Sequence, residues 1–459
     1  MHFSIWGIIK LIYINMLANL IKTKIKINSI EFGQICFYIG TGLLATTNFL
    51  AGIFYLISLA ISLIKKNNIF KKDIYNYLLI ICSTILIISS IKISTTLVNS
   101  PVYIVLKEQS WNPSALWISL FNWIPLFLAF SGFQIYLNNE SKRLNFAKCL
   151  FVGLIPVILS IFLQKLGIYG PFKYFYGLVV FYLKPIEGLG GFAGLFSNPN
   201  YAGLWLSSSL PFCFLLLKSN KYKKINFSLV TALIILTIYC ILLTNSRNSL
   251  IGIIIASVLM ISAKFIIISL LIFGFIYFLI SGLNALPFLG SFGFQEFLPD
   301  TIFKKLLETN YLSKFQFPRL DIWGRAINMI YERPFWGWGA ATFPILYMLR
   351  GGIEKARHTH NMALEIAQTN GIPAAIILIF FVSYLFIKSW KIIFIKKQRS
   401  ESNINKAWIS SLLIIIISHL SDLTYYDGRV SILIWILLAG LKCILEEEEK
   451  NKSKFNNLI

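Results

Sequence analysis

The sequence predicts an all-α polytopic membrane protein with about 12 transmembrane helices and one large extracytoplasmic loop containing short helices. Of its 459 residues, 57% are hydrophobic and only 13% are charged, a balance outside the range of soluble domains. Apolar runs approach the roughly 20 residues that a membrane-crossing helix needs, and they recur along most of the chain. The net charge of +23 comes largely from lysines between these runs, which is typical of cytoplasmic loops and does not call for a nucleic-acid partner.

The individual spans follow from the apolar runs and from the distribution of lysine. Residues 30–64 are long for one helix and contain a polar break at 46–48, which predicts two short spans. A single span would place the lysines of 22–26 outside the cell, against the positive-inside rule. The predicted spans are about 30–46, 49–64, 74–93, 113–137, 145–164, 200–217, 227–244, 247–262, 265–282, 372–390, 407–421 and 430–445. Nine therefore lie within 30–282 and three within 372–445.

Both ends of the chain are expected to lie beside the membrane. Residues 1–29 are predicted to form an interfacial N-terminal segment, either an amphipathic helix or an extra anchor. Residues 446–459 form a charged cytoplasmic tail, in which four glutamates and several lysines predict a solvated, disordered end. The six cysteines are scattered singly, so neither a disulfide framework nor a zinc site is indicated.

The longest segment between spans, residues 283–371, is predicted to be a periplasmic loop that carries the function. Loops of that length without a role are uncommon in compact proteins. Helix-like stretches occur within it at 301–312, 320–333 and 359–369. A second outer segment, 165–199, is aromatic and rich in glycine, and it is too short and broken to cross the bilayer.

Arginine is concentrated on the predicted outer face, where seven of the nine arginines lie. A planar guanidinium pairs well with phosphate oxygens, so this bias indicates an anionic ligand, with ordinary ion pairing as the alternative. Arg247 lies in a polar hinge between two spans, where a charge is costly unless it is paired or lies in a water-filled cavity. The alternative to a role in ligand binding is an arginine that only extends its side chain to the membrane surface. Arg319 and Arg325 are six apart on one predicted helix, so one contacts ligand while the other pairs with an acid or a headgroup.

A short polar motif, His358-Thr359-His360-Asn361, opens the helix-like stretch that ends at Gly371 and Pro373. Thr359 is the predicted N-cap. A histidine at the positive end of a helix tends to stay neutral and can act as a base, whereas a hydrogen-bonded loop histidine is the plainer alternative. Two histidines two residues apart diverge on a helix and make a poor metal pair. No metal motif and no phosphate-binding glycine loop is present, so the sequence predicts neither a metal nor another cofactor.

Two further polar groups flank predicted spans. Asn198 and Asn200 open the span at 200–217, where they can cap the helix or contact sugar hydroxyls. Asp422 follows the span at 407–421, close to His419 and to Arg429. These groups either line the same cavity as the histidine motif or form a simple structural turn.

Taken in order, these motifs resemble the O-antigen ligase and O-antigen polymerase superfamily of membrane glycosyltransferases. The matching features are Ser246-Arg247 at a span junction, Arg319 four before Trp323, and Pro334-Phe335-Trp336-Gly337-Trp338-Gly339 with Phe343; they continue with His360-Asn361, Leu364-Glu365 and Gly371, and they include Asn198-Pro199-Asn200 with Ala202. The motifs cover about 195–390, and the span count and the large outer loop extend the resemblance to the whole chain.

The resemblance implies glycan transfer on the periplasmic face of the inner membrane, without a metal. The donor would be a polyprenyl-diphosphate-linked glycan, and the acceptor a hydroxyl of the lipid A core or of a growing polysaccharide. By position, His360 would be the catalytic base, and Arg247 and Arg319 would hold the diphosphate. The remaining candidates for substrate binding are Asn198, Asn200, Arg325, His358, Asn361 and Asp422. The His-x-His doublet leaves open which histidine is the base, and His360 is favoured because an asparagine follows it.

Other functions fit parts of the same pattern. A polymerase of O-antigen or exopolysaccharide shares the superfamily motifs with the ligases. A bicarbonate or other anion transporter would also place arginines outside. The stretch from Asp422 to Trp435 is similar to one in cyanobacterial proteins linked to bicarbonate uptake. Many carriers consist of two repeated halves, and this sequence shows no obvious repeat of that kind, which argues against a carrier. A scaffold that binds lipid or glycan without turnover would need no histidine base.

Overall fold

The computed structural model is helical along most of its length. It describes residues 28–65, 73–174, 179–185, 190–218, 224–261, 318–352, 356–395 and 403–456. The helices are α1 Ser29–Leu43, α2 Asn48–Lys65, α3 Ile74–Val98, α4 Pro101–Glu108, α5 Ser114–Leu120, α6 Ile124–Gly132, α7 Glu140–Lys165, α8 Pro199–Lys218, α9 Lys224–Leu243, α10 Arg247–Met260, α11 Pro318–Glu332, α12 Phe343–Leu349, α13 Met362–Asn370, α14 Ile372–Trp390, α15 Asn403–His419 and α16 Gly428–Asn456. A 3₁₀ turn, Phe133–Tyr136, continues α6, and a π turn, Lys391–Ile395, continues α14.

Seven stretches among the described residues are long and apolar enough to cross a membrane, which confirms the prediction of an all-α polytopic membrane protein. They are α2, α3, α5 to the 3₁₀ turn, α7, α8, α14 and most of α16, and α9 and α10 are shorter apolar helices. Residues 30–64 form two helices, α1 and α2, as the polar break predicts. The total of 12 spans stays a prediction, since the span at 265–282 lies outside the described residues.

The bundle is assembled around α8, whose side chains are almost all buried. This helix packs against α7, α9, α10 and α15, and α15 packs in turn against α16. Small residues allow these close contacts: a Cβ on Gly203 would lie 2.2 Å from Ser249 Oγ, and one on Gly252 would lie 2.7 Å from Ser207 Cβ. The helices that carry Asn200, Arg247 and Asp422 at one end are therefore held in direct contact.

The two ends of the bundle differ in charge. At one end, which we call the lysine end, Arg143 donates to Glu447 at 2.6 Å and Lys442 pairs with Asp73 at 3.1 Å. The opposite end, the loop end, carries the start of α8, the junction of α9 and α10, and the connection between α15 and α16.

The expectation of a disordered tail from residue 446 is wrong as far as Asn456, because α16 continues and Glu447 is held by the buried Arg143.

A small second core lies at the loop end, formed by α4, α5, α11, α12 and the end of α3. The segment 334–339 joins it to α13, since Trp338 N–H donates to Gln368 O at 2.8 Å. Gly337 has φ +74 and lies so close to Thr369 that a Cβ would meet its carbonyl at 2.6 Å. This explains why glycine stands within the Pro334–Gly339 motif: only a residue without a side chain brings the loop onto the end of α13.

The remaining expectations for the outer segments have mixed outcomes. The helix-like stretch at 320–333 is α11, and the one at 359–369 is α13, which starts three residues late. The segment 165–199 contains an antiparallel hairpin of β1 Gly170–Tyr174 and β2 Val179–Leu183, with Gly170 opposite Leu183. The predicted helix at 301–312 and the interfacial segment before residue 28 lie outside the described residues.

Candidate functional site

The site is built where five elements meet at the loop end of the bundle. They are the starts of α8, α10 and α11, the segment before α13, and the connection from α15 to α16. Two hydrogen bonds tie that connection to its neighbours: Ser421 Oγ donates to Asn248 Oδ1 at 3.0 Å, and Asn361 Nδ2 donates to Leu420 O at 2.9 Å. The polar groups that the sequence places in separate motifs therefore share one region.

Helix α13 begins at a different cap from the predicted one. Asn361, not Thr359, is the N-cap, and its side chain accepts the Leu364 N–H at 3.1 Å. Thr359 lies two residues earlier and is fully buried. As a result, His360 precedes the helix and is not part of its first turn.

His360 and Asp422 form the central pair of the site. His360 Nδ1 lies 3.1 Å from Asp422 Oδ1, and the carboxylate is buried whereas the imidazole is 29% exposed. Burial would raise the pKa of Asp422, but the hydrogen bonds from His360 and from Leu423 N–H outweigh it and hold that pKa below its usual value. A carboxylate that accepts a hydrogen bond from Nδ1–H keeps the proton of the neutral ring on Nδ1 and leaves Nε2 free to accept one.

His358 contacts both the backbone and the ring of His360. Its Nδ1 accepts the His360 N–H at 3.3 Å, and the two rings meet edge to face with 4.2 Å between their centroids. His360 itself has φ +54, in the left-handed region, which costs on the order of 1–3 kcal/mol outside glycine. The backbone is therefore held in an unfavourable conformation at the residue whose ring reaches Asp422.

Arg319 lies near this pair, and Arg247, on a different helix, lies near Arg319. Burial lowers the pKa of Arg319, the Asp422 carboxylate opposes that shift, and Arg247 adds to it. Arg319 is therefore within electrostatic range of both the Asp422 carboxylate and the Arg247 guanidinium. Two guanidinium groups that repel each other favour an anion between them.

The asparagines at the start of α8 border the same region. Asn198 Oδ1 accepts the Asn200 N–H at 2.8 Å, as a cap of α8 would, and the Asn198 side chain is exposed. Tyr201, which the sequence argument did not single out, lies within electrostatic range of Asp422 and Arg357. Its place directly after Asn200, at the start of a buried helix, was the signal that could have identified it.

The structure does not bring Arg325 to the pair. Its guanidinium binds Asp321 at 2.9 Å and contacts the Arg350 carbonyl, on the face of α11 turned away from Arg319. Tyr347 donates to the same Asp321 at 2.7 Å. Of the two arginines on this helix, Arg319 is thus the one near Asp422, and Arg325 is the one paired with an acid.

His358, His360 and Asp422 could also hold a metal ion by geometry, since each offers a ligand atom and these atoms lie within 4.8 Å of one another. Two imidazoles and a carboxylate suit several divalent transition metals. The nearby guanidinium groups of Arg319 and Arg357 oppose a cation there. The sequence-based expectation of a site without metal stays a prediction.

Acidification should destabilise the folded protein through His358. Burial lowers the pKa of His358 from 6.5 to about 4, and the neighbouring His360 adds to the shift. Between those values the unfolded chain binds a proton that the folded chain does not, so the free energy of unfolding should fall as pH drops from 6.5 toward 4. Thermal unfolding in detergent across this window measures the effect. A His358→Asn variant keeps an acceptor for His360 N–H and should lose less stability on acidification; an equal loss would contradict the assignment.

The fold and the site together define an integral membrane protein with a polar site of histidine, aspartate and arginine at one end of its helical bundle. Residues 232–379 match the family model described as O-antigen ligase (Wzy_C), which confirms the resemblance of this part of the chain to the O-antigen ligase and polymerase superfamily. The matched segment contains Arg247, Arg319 and His360 and implies an enzyme of the membrane glycosyltransferase type. Among curated proteins, none matches the chain.

Proposed function

We propose that this protein is an O-antigen ligase-like glycosyltransferase that moves a glycan from a polyprenyl-diphosphate carrier to an acceptor hydroxyl outside the cytoplasm. The observation that carries the proposal is the hydrogen bond between His360 Nδ1 and Asp422 Oδ1, with Arg319 in electrostatic range of it. The acceptor would be a sugar of the lipid A core or of a growing polysaccharide. An anion carrier needs arginines, but it does not need a base oriented by a carboxylate.

The chemistry assigns one task to each group. Asp422 orients His360, whose Nε2 takes the proton from the acceptor hydroxyl. The acceptor oxygen bonds to the anomeric carbon of the donor while the bond from that carbon to the diphosphate oxygen breaks. Arg247 and Arg319 stabilise the charge that develops on the departing diphosphate. Attack opposite the leaving group predicts inversion at the anomeric carbon, and no step calls for a metal.

The charge of the bundle supports a periplasmic site. Lys142, Lys388 and Lys406 lie near the ends of helices that meet at the lysine end, opposite His360, and Lys442 pairs with Asp73 there. Short loops rich in lysine are characteristic of the cytoplasmic side of a membrane protein. The site would then face away from the cytoplasm, where the lipid-linked glycan is available after its export.

An apolar cavity beside the site supports a lipid-linked donor. It has a volume of about 240 Å³ and lies between α13, α14, α15 and α16, with Leu378, Ile415 and Trp435 among its lining residues. Leu420, which accepts the hydrogen bond of Asn361, belongs to its wall. An isoprenoid chain in this cavity would lead directly to the loop that carries Asp422.

Narrowing this cavity should weaken binding of the donor lipid. Val382 lines it, so Val382→Phe is expected to raise the KM for a polyprenyl-linked donor about tenfold with little change in kcat. Val258 on α10 is exposed, and Val258→Phe is the matched control. A donor with a short, soluble lipid should be insensitive to Val382→Phe. Equal effects on both donors, or from both variants, would exclude the cavity as the lipid site.

The surface glycan of a strain that lacks the protein tests the function itself. A ligase leaves the lipid A core bare when it is lost, whereas a polymerase leaves core bearing a single repeat unit. Unchanged surface glycan, with unchanged secreted polysaccharide, would contradict both. Complementation with the wild-type gene and with a His360→Ala gene then separates an enzyme from a carrier or a scaffold, because only the enzyme depends on the base.

A further inference from the structure

Glu365, which has no assigned role, is buried directly beneath the histidine motif. It lies on the first turn of α13 and is only 5% exposed. Its Oε2 accepts the Thr359 N–H at 3.0 Å, and Tyr426 Oη lies 3.4 Å from Oε1. A buried carboxylate is costly unless its oxygens are used, so its presence here calls for a function.

The Thr359 peptide that Glu365 holds is fixed on both sides. Trp323 Nε1 donates to the Thr359 carbonyl at 3.0 Å, and Thr359 Oγ1 donates to Asn361 O at 2.9 Å. Trp323 lies one turn after Arg319 on α11. The buried backbone of Thr359, directly before His360, is therefore connected both to the helix of the arginine and to the helix that starts after Asn361.

The hydrogen bonds of Glu365 and Trp323 to the backbone of Thr359 form a clamp. The clamp lies next to His360, whose backbone is strained. His360 follows Thr359 immediately and keeps φ +54, a conformation that a free loop would leave for a more favourable one. Burial raises the pKa of Glu365, and the hydrogen bonds from Thr359 and Tyr426 oppose that rise. The Thr359 N–H needs only an acceptor oxygen from residue 365, and a neutral side chain can supply one.

We propose that Glu365 is a positioning residue that, together with Trp323, holds His360 in its left-handed conformation so that the imidazole stays aligned with Asp422. The proposal rests on His360 being the base of the transfer reaction. It assigns Glu365 no contact with substrate. Its effect should therefore appear in the rate of the chemical step and not in the binding of donor or acceptor.

The test compares Glu365→Ala with Glu365→Gln in the purified full-length protein. Glu365→Ala should lower kcat about 10- to 100-fold with KM unchanged, because a misplaced base costs rate and not affinity. Glu365→Gln retains an acceptor oxygen and should stay within about fivefold of the wild type, the equivalent of one neutral hydrogen bond. Hydrogen–deuterium exchange of peptides covering Thr359 and His360 should rise in Glu365→Ala and stay near the wild-type level in Glu365→Gln.

Gln368 provides the matched control on the same helix. It is fully buried and donates to Thr342 Oγ1 at 3.4 Å, away from the histidines. Gln368→Ala should lower thermal stability without changing kcat or the exchange at Thr359. Trp323→Phe keeps an aromatic side chain but removes the Nε1–H donor to the Thr359 carbonyl, so it should lower kcat even if Glu365→Ala fails to fold.

The outcomes separate this proposal from the assignment of the base. Glu365→Ala with wild-type kcat and exchange overturns the positioning role, as does Glu365→Gln as slow as Glu365→Ala. The exchange measurement needs no turnover, so faster exchange in Glu365→Ala without any change in kcat would show that the clamp exists but does not serve catalysis. Full activity in His360→Ala would instead overturn the proposed function.

Discussion

Replacing His360 with alanine should lower the rate of glycan transfer by about 10²- to 10⁴-fold, the usual contribution of a general base. In the proposed mechanism the acceptor hydroxyl loses the group that removes its proton, while the arginines proposed to hold the diphosphate remain. Donor binding should therefore change little. The measurement is transfer of a labelled lipid-linked glycan to acceptor by the purified protein, with Kd for the donor determined separately.

Two companion variants make this result specific. Asp422→Asn keeps the size of the side chain but removes the carboxylate that orients Nδ1, so it should also slow transfer strongly. His358→Ala should be slower than wild type but faster than His360→Ala, because His358 has a pKa of about 4 and serves mainly as the acceptor for His360 N–H. If His358→Ala were the more damaging change, the base would be His358.

The second large effect is expected at Arg319. Removing a charged donor that stabilises a leaving group typically costs about 10²- to 10³-fold in rate, so Arg319→Ala should fall in that range. Arg319→Lys keeps the charge without the planar fork and should lose less. Both effects should appear in kcat measured with saturating donor.

The control for charge is another arginine at the loop end of the bundle. Arg350 forms an ion pair with Glu332 at 2.8 Å and stacks on Trp338, far from the histidines in its contacts. Arg350→Ala should leave the rate of transfer close to that of the wild type. A loss equal to that of Arg319→Ala would mean that overall positive charge, and not a specific contact to the diphosphate, determines the rate.

The helices were the most predictable part of this molecule. The predicted span at 200–217 is Pro199–Lys218 in the structure, and the one at 372–390 is Ile372–Trp390. Such agreement is expected because the length of an apolar run and its polar ends are local properties of the sequence. The tail was misjudged for the opposite reason: Glu447 is ordered by Arg143, a residue 304 positions earlier.

The site was predictable in its residue types but not in its pairing. Arg247, Arg319, His360 and Asp422 are all candidates from the sequence, yet the partner of His360 lies 62 residues away and depends on how the segment before α13 meets the connection from α15 to α16. Arg325 is kept from the site by its ion pair with Asp321 one turn earlier. The spacing of the two residues permits this ion pair but does not require it. Thr359 and Asn361 can both cap a helix, and only the backbone at His360 decides between them.

The position of Asp422 has a consequence for exchanging parts between related enzymes. It lies outside residues 232–379, the segment shared with the family, although His360 depends on it. A chimera that receives only that segment would combine a histidine from one parent with the carboxylate of the other. Transplants that also carry the connection between α15 and α16 keep both members of the dyad from a single parent, and these are the ones that should retain the rate of transfer.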